Sequence, residues 1–402
     1  MGDRIFLLPH HEEIKDGKIT AIYFIRTAKI LEEDGLGDVV VGAEFTVSSL
    51  PEGYKWFVFA GLREVIRLVE GLPVDLYSVP EGTILPARDV RGIRVPVMLI
   101  QGPYAKFAIY ETTILGFIAA ATGFATKAAR LRRLAGDVPI VNFGARRTHP
   151  AIAPFCDYYS YIGGFDAVSC ILGAEFLGRK PLGTMPHSLL IIYRFARGDH
   201  AEGWKAFDRY MPRDVPRIML CDTFSDEVEE SIRAVEAVGP EKIYGIRLDT
   251  PGSRKGNFAD IVREVKWKLS QRGMGNVKIF LSGGINEHNI RELIEAGADG
   301  FGIGTAIANA PFVDFAMDIV AIRRESEWHP ICKRGKFDGL KMVWRRRGRV
   351  LHIEVAPWGR DLGGEYEQLL TKYVENGRIV REPSPPDEAR KYVLEQLKAV
   401  EV

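Results

Sequence analysis

The 402-residue sequence predicts an α/β protein organised around a parallel-sheet or barrel core, and two observations carry that reading. From Val138 to Met317, short β-branched apolar runs precede polar or glycine-rich loops and then amphipathic helices, the pattern of successive βα units. On either side of that stretch the pattern changes, so smaller flanking units are expected around a large central one, as the chain length also requires.

Before residue 110, VVVGAEFTV, YKWFVFAGL, VDLYSV and VPVMLIQG read as strands of a separate, more antiparallel layer, with Pro73, Pro80, Pro86 and Pro96 at turns. Thr112 to Ala129 is the most membrane-like stretch. Its threonines, glycines and Lys127 predict a buried helix rather than a span. The central strands are expected at 138–143, 215–221, 242–248, 276–282 and 300–303. Between them, DEVEESIRAVEAV, NFADIVREVKWKLSQR and EHNIRELIEAG carry apolar residues at helical spacing, with Ser225 and Asn286 at expected N-caps. After about residue 328, a basic stretch, KRGKFDGLKMVWRRRGR, leads to a β-like LHIEV and a closing helix. The predicted division is therefore 1–110, 111–327 and 328–402.

Composition excludes several classes. Hydrophobic residues make up 46% and charged residues 27%, which is ordinary globular usage. With 54 basic against 53 acidic residues the net charge is +1, so no overall field points to nucleic acid or membrane, and any anion site must be local. Cys156, Cys170, Cys221 and Cys332 lack CxxC spacing, which predicts neither a disulfide framework nor a zinc cluster, and a cytoplasmic setting. The first residues lack the features of a secretory signal.

The residues with chemical potential follow the predicted strands: GARRTH, DTFSD, DTPGSRKG, GGINE and GTAI. In barrels and open α/β sheets, sites are built at that edge. Transfer from a pyrophosphorylated sugar develops positive charge at the anomeric carbon while a multiply charged group departs. It needs cations on the phosphates, carboxylates near the sugar and a flat slot for the acceptor. Ser282-Gly283-Gly284 and Gly302-Ile303-Gly304-Thr305 can offer backbone N–H groups to a phosphate, although small loops of this kind also occur for steric reasons. Arg146 and Arg247 can reach phosphate or carboxylate oxygens, or form surface ion pairs. Asp222 and Asp249 can hold Mg²⁺ or ribose hydroxyls, with helix capping as the structural alternative. Phe143 and Tyr23 are candidates to sandwich a ring, and His187 is a candidate acid-base group, phosphate ligand or phospho-acceptor.

Taken in order, EGTILP, ETTILGFIAAATGFATKAAR, NFGARRTH, SYIGGFDAVS, GTMPHS, LCDTFSDE, GIRLDTPGS, LSGGI and FGIGTAI resemble the signature run of the nicotinate phosphoribosyltransferase family, a type II phosphoribosyltransferase. The resemblance implies an N-terminal α/β sandwich, an irregular (β/α) barrel and a small C-terminal extension. It also implies homo-oligomers with active sites shared between neighbouring subunits. The implied activity is that of a pentosyltransferase and ATP-coupled ligase of NAD biosynthesis, joining nicotinate to phosphoribosyl pyrophosphate with Mg²⁺ and ATP.

Carried onto this sequence, the resemblance has Phe143 stacking on nicotinate and Tyr23 covering it from a partner chain. Arg247 would meet the nicotinate carboxylate or the pyrophosphate, and Arg146 the pyrophosphate. Asp166, Asp222 and Asp249 would arrange base, ribose and magnesium, and His187 would be the histidine phosphorylated by ATP. Ser253, Gly283, Gly284, Gly302, Gly304 and Thr305 would bind sugar or phosphate, and Lys333, Arg334 and Lys336 would form a basic segment reaching phosphates. Two departures stand out. Tyr23 lies in TAIYF, where many relatives place an aspartate before the tyrosine, and Cys332 alone stands where some relatives carry a four-cysteine zinc knuckle, so no zinc is expected. The rival readings are quinolinate phosphoribosyltransferase, a nicotinamide-using relative, and a non-catalytic pyridine-nucleotide sensor.

Overall fold

A computed structural model describes residues 4–402, which form two compact units. The first comprises residues up to Ala129, Ile162–Gly164 and Ala310–Val402; the second comprises Arg130–Tyr161 and Phe165–Asn309.

The second unit holds a six-stranded sheet made of β1 (Ile140–Asn142), β2 (Ala167–Val168), β3 (Ile218–Leu220), β4 (Gly245–Leu248), β5 (Lys278–Ser282) and β6 (Gly300–Ile303). Its order is β2-β1-β6-β5-β4-β3 and every pairing is parallel. β2 and β3 remain as edges, giving the irregular barrel-type α/β core that the sequence predicts. Strands β1, β3, β4 and β6 are buried at every residue, as expected where helices cover a parallel sheet. Helices Glu227–Val238, Phe258–Gln271 and Ile290–Ala296 follow β3, β4 and β5 and bury Val235, Val262 and Leu293. All chains of a parallel sheet run the same way, so every loop leaving a strand's C-terminal end reaches one rim.

Five of the strands fall within the expected segments, each shorter than its apolar run or equal to it. β2 was not expected, because two residues are too few to show a periodicity. Both expected N-caps shift. Asp226, not Ser225, caps Glu227–Val238, its side chain accepting from Val228 and Glu229 N–H. Asn289 occupies the cap position of Ile290–Ala296, while Asn286 accepts from His288 N–H in the preceding turn.

The first unit contains an antiparallel seven-stranded sheet. In spatial order its strands are Glu327–Pro330, Asp314–Arg324, Val40–Ser49, Pro96–Pro103, Asp75–Ser78, Thr371–Glu375 and Arg378–Ile379. The sequence reading divides this material among three regions; hydrogen bonding joins strands from the start and the end of the chain instead. Val40–Ser49 is nearly all buried and lies between Asp314–Arg324 and Pro96–Pro103, so its neighbours come from opposite ends of the sequence. Phe45, Phe57, Leu62, Ile66 and Ile100 are fully buried in its core, each worth about 1.5–3 kcal/mol of apolar burial.

Tyr104–Ala135 is long and apolar enough to cross a membrane by length and composition, yet 56% of its most apolar window is buried inside the protein. The threonines of this stretch serve folding. Thr126 and Thr122 accept hydrogen bonds from the backbone N–H of Val58 and Ala60 at 2.9 and 3.1 Å, satisfying groups that would otherwise be buried unpaired.

Candidate active site

At the C-terminal rim of the second unit's sheet lies a cavity of about 910 Å³. Among its walls are Arg146 and Arg147 after β1, Asp222 and Thr223 after β3, Asp249 and Lys255 after β4, and Gly283 and Gly284 after β5, with His187 opening the helix His187–Arg197. The sequence-distant Arg146, His187, Asp222, Asp249, Gly283 and Gly284 therefore converge on one space.

Asp222 is the most constrained of these groups. One carboxylate oxygen, Oδ2, accepts from the backbone N–H of Asp249 and from Thr250 Oγ1 at 3.1 Å. The other, Oδ1, is buried without a hydrogen-bond partner. Burial pushes the Asp222 carboxyl up to about 7, against the hydrogen bond from Asp249 N–H that lowers it. A buried carboxylate oxygen left unpaired is costly, and its presence at a cavity marks a place for a cation or a proton. His187 Nε2 lies 3.9 Å from both Asp222 Oδ1 and Asp249 Oδ2, while Nδ1 is 3.1 Å from Thr223 Oγ1. Burial holds the His187 imidazole below its ordinary value, with Asp249 opposing, which keeps the ring neutral at pH 7.

Arg247 is buried beneath this group and does not line the cavity. It donates to Thr184 Oγ1 at 3.0 Å, Ser282 Oγ at 2.8 Å and the Met185 carbonyl at 2.8 Å, and lies 3.5 Å from Asp249 Oδ2. With its donors held this way, Arg247 fixes Asp249 and the strand ends from below. Its guanidinium carbon is 5.9 Å from the Phe143 ring centre. A Cβ at Gly302 would stand 2.2 Å from that ring, so glycine there is what lets Phe143 lie against β6. Gly283 and Gly284 both adopt left-handed backbone, with φ of +81° and +80°. A Cβ on Gly283 would also meet Asp249 Oδ1 at 2.7 Å, so both conformation and space demand glycine.

Several expected residues stand elsewhere. Asp166 precedes β2 at the N-terminal edge of the sheet, where its carboxylate accepts from Arg132 and, at 2.8 Å, from Ile140 N–H. It supports the start of β1 and is not on the cavity rim. Gly302 and Gly304 lie against Phe143, Thr305 opens the short helix Thr305–Ala308, and Ser253 is exposed on the short helix Gly252–Lys255; none of them lines the cavity, and neither does Phe143. Tyr23 and the basic segment belong to the first unit. Tyr23 is 59% exposed on the helix Ile22–Glu33, its ring against Phe24. Lys333 and Lys336 are engaged by the buried Asp318 carboxylate at 2.6 and 2.5 Å, while Arg334 is exposed.

The sequence reading missed Lys255, although it lies inside the DTPGSRKG motif. Its ammonium donates to the Gly283 carbonyl and sits 4.2 Å from the Phe258 ring centre. Burial lowers its affinity for the proton, while Asp249 and Asp222 raise it. A lysine after a serine and an arginine in a loop reads as solvated surface; only the fold of that loop brings it back over the glycines. Thr223 and Glu230 were missed for the same reason.

Comparison with known proteins agrees with this architecture. Residues 21–122 match the family described as quinolinate phosphoribosyl transferase, N-terminal domain, and residues 124–318 match its C-terminal domain. A crystal structure described as nicotinate-nucleotide pyrophosphorylase from Pyrococcus furiosus superposes with a TM-score of 0.92 at 45% identity, covering 99% of this chain and 100% of that one. The chain belongs to the type II phosphoribosyltransferase family. Human nicotinic acid phosphoribosyltransferase shares the fold, with a TM-score of 0.74 at 18% identity over 95% of this chain and 94% of that one. Nicotinate phosphoribosyltransferase pncB2 of Mycobacterium tuberculosis (strain ATCC 25618 / H37Rv) is 27% identical over 404 residues, covering 89% of this chain and 82% of that protein.

Proposed function

We propose that this protein is a nicotinate phosphoribosyltransferase, forming nicotinate mononucleotide and pyrophosphate from nicotinate and phosphoribosyl pyrophosphate. The observation that carries the reading is the convergence of two carboxylates, a histidine, Arg146, Lys255 and a left-handed glycine pair on one cavity. Relatives named for nicotinate span most of this chain, which favours that acid over quinolinate. GTMPHS and the residues beyond 328 favour it as well.

In this reading Arg146 and Lys255 receive the phosphates of the sugar, and the backbone of Gly283-Gly284 approaches them closely because no side chain stands in the way. Asp249 faces the ribose, where a fixed carboxylate stabilises positive charge growing at the anomeric carbon. The nicotinate ring is assigned to Phe143 by the family resemblance; Phe143 itself does not line the cavity, and the Arg247 guanidinium lies over its ring. The unpartnered Asp222 Oδ1, beside Asp249, fits a divalent cation, and Mg²⁺ commonly takes only one or two protein carboxylates together with substrate phosphates. Bound there, Mg²⁺ would neutralise charge on the departing pyrophosphate. His187, neutral at pH 7 and half-exposed to the cavity, is suited to accept a phosphoryl group from ATP. We further propose a cytoplasmic homo-oligomer in which Tyr23 from a second copy covers the ring.

Purified protein assayed with nicotinate, quinolinate or nicotinamide, each with phosphoribosyl pyrophosphate and Mg²⁺, is expected to form mononucleotide from nicotinate. ATP should stimulate the wild type and not His187→Ala, which retains slow transfer. Turnover of quinolinate alone overturns the choice of acid, and unchanged stimulation in His187→Ala overturns the phospho-acceptor role.

A further inference from the structure

The helix Glu227–Val238 already has its cap in Asp226, whose carboxylate accepts from Val228 and Glu229 N–H at 3.0 Å each. One turn further in, Glu230 is also turned back toward the helix start, and it is only 1% exposed. Its oxygens accept from three consecutive backbone groups of the loop after β3: Thr223 N–H at 2.8 Å, Phe224 N–H at 2.7 Å and Ser225 N–H at 3.0 Å. Burying a carboxylate is expensive, and here it is offset by bonds to a loop that ordinary helix capping does not require.

That loop carries the residue that touches the histidine. Thr223 Oγ1 lies 3.1 Å from His187 Nδ1, and the same short segment begins with Asp222. Behind Glu230, the fully buried His200 places Nε2 at 3.3 Å from Oε1, and its ring packs on Phe224 and Trp204. The carboxylate thus has the His200 ring behind it while it holds the loop in front.

We infer that Glu230 and Thr223 are positioning residues for His187. Glu230 sets the loop backbone, the Thr223 hydroxyl engages Nδ1 and fixes the ring plane, and Nε2 is left as the nitrogen that meets substrate. The inference rests on the reading of the cavity as a phosphoribosyltransferase site containing His187.

The test compares Thr223→Val, Thr223→Ser and Glu230→Gln with the wild type, with His187→Ala as the floor, measuring kcat and KM for both substrates in the presence of ATP, and Tm. Thr223→Val keeps the shape of threonine without its hydroxyl. It is expected to lose about tenfold or more in kcat, with KM and Tm nearly unchanged. Thr223→Ser should recover to within about threefold of the wild type, a rescue that a packing role alone would not give. Glu230→Gln, which cannot accept from three donors through one carbonyl oxygen, should fall as Thr223→Val does; if it fails to fold, the pair at 223 still decides. An active wild type matched by Thr223→Val, or Thr223→Ser as poor as Thr223→Val, overturns the inference. A wild type that makes no nucleotide from nicotinate defeats the functional reading instead. In that case ring-nitrogen NMR of ¹⁵N-histidine protein decides, the His187 signals being assigned by their loss in His187→Ala. A change of His187 tautomer in Thr223→Val upholds the positioning role, and unchanged signals overturn it.

Discussion

Two groups of buried carboxylates, one in each unit, are treated in opposite ways. In the first, Glu44 is met by Lys341 at 2.9 Å, and Asp318 by Lys333 and Lys336. In the second, at the cavity, Asp222 Oδ1 has no hydrogen-bond partner, and the nearest ring nitrogen is 3.9 Å away. Paired charge inside a sheet stabilises or specifies a fold, because removing one partner strands the other. Charge left incomplete at a rim waits for a ligand. The same residue types therefore mean structure at one place and chemistry at the other, and the difference lies in which partners the fold supplies.

The contrast can be broken most decisively at Asp249. Asp249→Ala is expected to reduce nucleotide formation by about 10³-fold, far more than its Tm falls from leaving the buried Arg247, 3.5 Å away, without its carboxylate neighbour. Full activity in this variant would place the chemistry elsewhere. In the first unit, Asp318→Asn should cost about 2–4 kcal/mol of stability in denaturant unfolding and leave kcat within about twofold. A large loss of kcat at unchanged stability would mean that this pair, too, belongs to the reaction.

The smallest effect sharpens the comparison by pH. The folded Asp222 carboxyl binds its proton up to about 7, well above the ordinary aspartate value of 3.8. Between those values the folded state holds more protons than the unfolded one, so this group lowers stability progressively as pH rises from about 4 to about 7. Asp222→Asn keeps an acceptor for Asp249 N–H without the buried charge. It should raise the Tm of the ligand-free protein by roughly 2–5 °C at pH 8, with the gain shrinking toward pH 4, as scanning calorimetry would show. A gain independent of pH would assign the effect to packing rather than charge.

Much of the site was legible because parallel strands send their following loops to one rim. Once β1, β3, β4 and β5 are recognised, Arg146, Asp222, Asp249 and Gly283 are bound to share an edge. Asp166 shows the limit of that rule. It lies just before β2 rather than after it, and a two-residue strand leaves no apolar run from which its direction could be read. Lys333 and Lys336 show another. A basic run looks available to phosphate until the fold reveals that Asp318, on the strand Asp314–Arg324 of the hairpin just before it, has engaged two of its ammonium groups.

By itself the sequence determined the α/β class, the order of the βα units and the loops that carry reactive groups, because apolar periodicity and glycine preference are local properties of the chain. Only the tertiary structure decided which carboxylates are paired and which are left incomplete. It alone also showed that Lys255 folds back over the glycines and that Glu230 holds the loop beneath His187. Pairing depends on distances between side chains remote along the chain, and those are fixed when the sheets assemble.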